Sequence, residues 1–65
     1  MKEKKENQLL DCEEASLYLG LPKSRIRYEV FLKRIPHIKI GRSVRFTREQ
    51  LNAWIEQHIA GGKNE

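Results

Sequence analysis

The sequence predicts one small α+β domain, mainly helical, in which two short helices are followed by a two-stranded hairpin and a last helix. Three observations predict it: capping signals that open the first and last helices, a tight Gly-Leu-Pro junction between the first two, and an alternating segment after Pro36 that turns back on itself. A chain of 65 residues is one domain at most and buries only about 60% of its unfolded surface, so its core must be compact. Cys12 is the single cysteine, with no partner for a disulfide and no Cys/His set at zinc spacing, which leaves the fold to apolar burial alone.

Residues 1–8, MKEKKENQ, offer nothing apolar after the initiator and read as a disordered tail. Asp11 then stands as an N-cap with Glu14 three residues on, and Cys12, Ala15, Tyr18 and Leu19 share a face, so the first helix is expected from Cys12 to Leu19. Gly20 suits the left-handed end of that helix, and Pro22 suits a turn or the opening of the next. The second helix is expected from Lys23 to about Leu32, burying Ile26 and Val30 while Ser24, Arg25 and Tyr28 look elsewhere. Pro36 forbids more helix, and His37 to Ile40 alternates before Gly41-Arg42-Ser43 and the return through Val44-Arg45-Phe46. On that pattern Ile38, Ile40, Val44 and Phe46 face the core and Lys39 and Arg45 the other side. Thr47 and Gln50 form a capping box for the last helix, whose stripe is Leu51, Trp54, Ile55 and His58. Residues 60–65, with Gly61-Gly62, read as a flexible end, so the folded domain spans 9–59. Trp54 is expected as a core anchor, Cys12 as a small buried hydrophobe, and His37 and His58 as surface or packing residues, with no metal or other cofactor.

Charge is uneven along the chain. Lys23 to Arg48 holds nine Lys or Arg residues against one acid, Glu29, whereas the flanks carry Asp11, Glu13, Glu14, Glu49 and Glu56. Such a block suits a polyanion. An enzyme is excluded on the motifs: no Gly-rich phosphate loop, no nucleophile with a base and no recognisable pair of acids is present. No apolar run reaches membrane length, and a cytoplasmic, nucleoid-associated protein is expected.

Two helices on a tight turn followed by a hairpin make a winged helix-turn-helix, whose second helix enters the major groove of double-stranded DNA. Lys23 and Arg25 are then candidates for guanine edges or phosphates, Ser24 for a phosphate or base, and Tyr28 for a phosphate or thymine methyl. Arg27 is either a phosphate contact or the structural partner of Glu14 or Glu29. In the wing, Arg42 at the tip reaches a minor groove or phosphate, flanked by Lys39, Ser43 and Arg45. The stem of Arg45 can lie over the core edge while its head meets a phosphate.

The stretch Leu10 to Ile59, about three quarters of the chain, resembles the excisionase-type helix-turn-helix family. The resemblance rests on Glu13-Glu14-Ala15, Tyr18-Leu19-Gly20, Lys23-Ser24-Arg25-Ile26-Arg27, Ile35-Pro36, Lys39-Ile40-Gly41-Arg42, Val44-Arg45-Phe46 and Leu51-Asn52-Ala53-Trp54-Ile55. Ile26-Arg27-Tyr28-Glu29 is also similar to the recognition segment of the MerR regulators. The resemblance implies a recombination directionality factor, binding beside an integrase or other recombinase and bending DNA toward excision. A small MerR-like transcriptional regulator of a mobile element is the second reading, and a protein-interaction module the third. Leu17, Phe31 and Leu32 stand where the family usually has polar residues, off the core stripes, and are candidate protein contacts. Lacking a heptad seam, the chain is expected to be a monomer that assembles head to tail and cooperatively on repeated sites.

Overall fold

The computed structural model describes residues 9–60; the expected tail at 1–8 and the last five residues of the expected flexible end lie outside them. The chain forms α1 (Cys12–Leu19), α2 (Lys23–Phe31), β1 (Ile38–Ile40), β2 (Ser43–Arg45) and α3 (Arg48–Gln57), the architecture of a winged helix-turn-helix.

Local chemistry explains each boundary. At α1 the Glu14 amide donates to Asp11 Oδ1 at 2.8 Å and the Asp11 amide to Glu14 Oε1 at 2.9 Å, a reciprocal cap that satisfies two otherwise orphaned donors. The helix stops at Gly20, whose φ of 70° is left-handed, and the Ser16 hydroxyl donates to Leu21 O at 2.6 Å across the turn. Pro22, with φ −66°, then opens α2 without any side-chain cap. At its far end the Lys33 amide returns to Val30 O and the Arg34 amide to Glu29 O, both at 2.9 Å. These two bonds form a Schellman ending, with Lys33 at φ 58° where glycine is usual. In α3 the Thr47–Gln50 box forms as expected, with both bonds at 3.0 Å.

The hairpin differs from the expected facing. Ile38 pairs with Arg45, Lys39 with Val44 and Ile40 with Ser43, so the turn is the two residues Gly41 and Arg42. Directly paired residues share a face, which puts Lys39 with Val44, and Ile38 and Ile40 with Arg45 and Ser43. Ile40 is accordingly 57% exposed rather than in the core, while Val44 and Phe46 pack inward. A three-residue turn would have aligned Ile40 with Val44; shortening it by one residue reverses one strand's facing relative to the other. Gly41 allows the short turn, because its φ of 59° is the positive value a type II′ turn needs at its first central position.

Leu10, Ala15, Ile26, Ile35, Phe46, Leu51 and Trp54 form the buried core, with Cys12, Leu19, Leu21, Val30 and Val44 packed against it. Leu10 enters through a bridge to Phe46, each amide donating to the other's carbonyl at 2.8 Å. Trp54 anchors the core as expected, and its Nε1 donates to Arg34 O at 2.9 Å. Cys12 is half-buried rather than buried. Ile55 and His58, expected on the α3 stripe, are exposed, though the His58 ring lies 4.2 Å from that of Trp54.

Candidate nucleic-acid interface

At 100° per residue, burying Ile26 and Glu29, with Val30 half-buried beside them, turns Ser24, Tyr28 and Phe31 to the opposite, solvent side of α2, and all three are exposed. The remaining polar residues fall on two flanks. Lys23 and Arg27, one turn apart, lie on the wing side, where they line an open groove together with Arg42, Ser43, Val44 and Arg45 of the hairpin, Cys12 and Glu13 of α1 and its N-cap Asp11. Four cations thus converge on a groove holding two carboxylates, one of which, Asp11, already accepts the α1 cap. Arg45 is half-buried and donates from Nη1 to Val44 O at 2.8 Å, which holds part of its guanidinium on the hairpin backbone. Lys39 is exposed but does not line this groove.

Arg25 lies on the other flank. Its Nε donates to Glu29 Oε2 at 2.8 Å, and Arg34 donates to the same carboxylate from Nε at 3.1 Å and Nη2 at 3.2 Å. The Glu29 side chain is 3% exposed, the two arginine side chains about half. Hydrogen bonds from Arg34 and then Arg25 hold the Glu29 carboxyl below its ordinary value against the opposing effect of burial, and the bond to Glu29 raises Arg34 in turn. The alternative of an Arg27 ion pair with Glu29 is therefore corrected: the partners are Arg25 and Arg34, because Arg25 is one turn N-terminal to Glu29 while the Schellman ending carries Arg34 back to it. Arg34 also sits 5.7 Å from the Tyr28 ring centroid. The sequence pattern alone did not join Glu29 and Arg34 to Arg25 in one cluster. The Arg25–Glu29 spacing was a visible signal, but nothing local marked Arg34.

The helix that carries these cations is also electrostatically open at its start. No acidic residue lies in the first turn of α2, which begins Lys23-Ser24-Arg25, whereas α1 has Glu13 and Glu14 and α3 has Glu49 in theirs. A positive helix end bearing further cations is unfavourable unless an anion approaches. Leu17 and Phe31, at 76% and 79% exposure, are the most exposed large apolar side chains among the described residues, and Leu32 is at 37%. Leu17 lies beside Tyr18 and Arg48 on the α1–α3 side, where the Tyr18 hydroxyl donates to Asn52 Oδ1 at 2.7 Å; Phe31 lies at the end of α2. No helix among the described residues is long and apolar enough to cross a membrane.

The profile of the helix-turn-helix domain family matches residues 9–59, from the residue before the Leu10 bridge to the end of α3 and the residues just after it. No curated protein and no solved structure showed a match. With a match over most of its length and the helices, turn and hairpin in place, the chain belongs to the helix-turn-helix domain family, for which DNA is the partner.

Proposed function

We propose that this protein is a sequence-specific, non-enzymatic DNA-binding factor that inserts α2 into the major groove and sets its wing on the adjacent backbone or minor groove. The observation that carries the reading is the groove in which Lys23 and Arg27 of α2 meet Arg42, Ser43 and Arg45 of the wing, since one backbone can then be held from two elements at once. Ser24 and Tyr28, on the outermost side of α2, are the residues for base edges, Arg25 flanks them, and Lys39 contributes a phosphate contact from the hairpin. The biological role we propose is that of an architectural recombination directionality factor, shaping DNA beside an integrase or recombinase to favour excision. It is supported by the resemblance of Leu10 to Ile59 to the excisionase type. The similarity of Ile26-Arg27-Tyr28-Glu29 to MerR regulators favours, as a second reading, a small transcriptional regulator.

Cys12 lines the groove and is half-buried, which gives a direct test. Saturating double-stranded DNA should slow alkylation of its thiol, while an alkylation rate indifferent to DNA would contradict the proposed placement. Footprinting on DNA flanking the protein's own gene separates the two roles: repeated sites beside a recombination end support the directionality factor, and a single promoter site supports the regulator.

A further inference from the structure

We propose that Arg25, Glu29 and Arg34 form a second phosphate-binding edge of the interface, in which Arg34 is a backbone contact and Glu29 a positioning residue that sets the two guanidiniums. The inference rests on the DNA-binding reading and extends it to a flank of α2 that the wing does not reach. Lys23 and Arg27 line one concavity with the wing, while Arg25, Glu29 and Arg34 line another with Gln57 and His58. An α-helix with its side chains is about 10–12 Å across and the major groove about 12 Å wide. A helix seated there meets a wall on each side, and phosphates line both.

The chemistry of the cluster suits a phosphate better than a purely internal role. Glu29 is the sole acid between Lys23 and Arg48, and its buried carboxylate receives two arginines, so the cluster keeps one net positive charge. Arg25 uses only Nε for Glu29, and Arg34 only Nε and Nη2. Each guanidinium has five N–H donors, so the others lie outside the pair on half-exposed side chains. The Tyr28 ring beneath Arg34 and the Schellman ending that fixes its backbone restrict the guanidinium further, lowering the ordering cost of a charge-assisted contact.

The test is a salt titration of binding to a mixed-sequence duplex of about two helical turns, using the full chain and its folded variants, with thermal melts to confirm folding. Arg34→Ala should reduce the magnitude of the slope of log K against log salt by about 0.9, and Arg34→Lys should restore most of it. Combined with Arg42→Ala, the loss should double, because the two residues hold different phosphates. Glu29→Gln removes a negative charge and so raises the net charge by one, so a role confined to neutralising charge predicts tighter binding; positioning predicts binding several-fold weaker. An Arg34→Ala variant with unchanged slope and affinity overturns the phosphate contact, and a tighter-binding Glu29→Gln overturns the positioning role. If Glu29→Gln fails to fold, the Arg34 pair decides. Loss of slope in Arg42→Ala and Arg27→Ala alone would leave the DNA reading standing and this edge refuted, whereas a wild-type protein without salt dependence would remove both.

Discussion

Glu29 concentrates the physics of this small domain into one side chain. Its carboxyl is held below the ordinary value of 4.5 by hydrogen bonds from Arg34 and Arg25. A folded-state pKa depressed in this way contributes stability that is fully present above the unfolded value and is lost as pH falls through the folded one. Thermal melts between pH 7 and pH 2 should therefore show an acid loss of stability beginning near the ordinary glutamate value, and Glu29→Gln should flatten that part of the curve. Parallel curves for the two proteins would refute the assignment. The core residues make a sharper contrast: Phe46→Ala should cost about 3–5 kcal/mol and unfold so small a domain, whereas Ile40→Thr on the outer hairpin face should change stability by less than about 0.5 kcal/mol. Chemical denaturation reads both, and equal costs would mean that the hairpin faces are assigned wrongly. Of this residue-level detail, the capping pairs Asp11–Glu14 and Thr47–Gln50 were legible in the sequence because each acts within one turn. The meetings of Leu10 with Phe46 and of Arg34 with Glu29 were not, because they are made by chain segments folding back on one another.

The elements themselves were legible where a short-range device terminates them. Gly20 ends α1 and Pro22 opens α2 for reasons a sequence displays directly. Hairpin facing was harder, since the alternation His37 to Ile40 and Val44 to Phe46 is compatible with either turn length, and only the register decides which apolar side chains turn inward. The end of α2 offers a test of backbone strain. Lys33 adopts the left-handed conformation at φ 58°, a region disfavoured for a residue with a Cβ by roughly 1–2 kcal/mol. Lys33→Gly should relieve it and stabilise the protein by about 0.5–1 kcal/mol after the greater chain entropy of glycine is subtracted. In a domain of this size 1 kcal/mol corresponds to roughly 4–8 °C in Tm. A lower Tm for Lys33→Gly would show that its side chain supports the fold in a way its backbone does not reveal.

At the scale of the whole molecule, the concentration of cations between Lys23 and Arg48 acquires direction from the fold, which places Lys23, Arg27, Arg42 and Arg45 on a wing-side groove and Arg25 and Arg34 on the other flank of α2. Charge sign was legible in the sequence; this division was not, because it depends on which helical positions are buried. Exposed Leu17 and Phe31 lie on different elements, an arrangement suited to heterologous contacts between neighbouring copies on repeated sites. Cooperative gel shifts on two and three sites by a protein that sediments as a monomer are the expected outcome, and a stable dimer without DNA would favour the regulator reading. A polyanion interface built jointly by α2 and the wing is checked by the salt dependence of DNA affinity in the wild type, Arg27→Ala and Arg42→Ala. A steep linear fall of log K with log salt is expected, its slope reduced by about 0.9 in each variant; a flat response, or no DNA retention at low salt, would contradict such an interface.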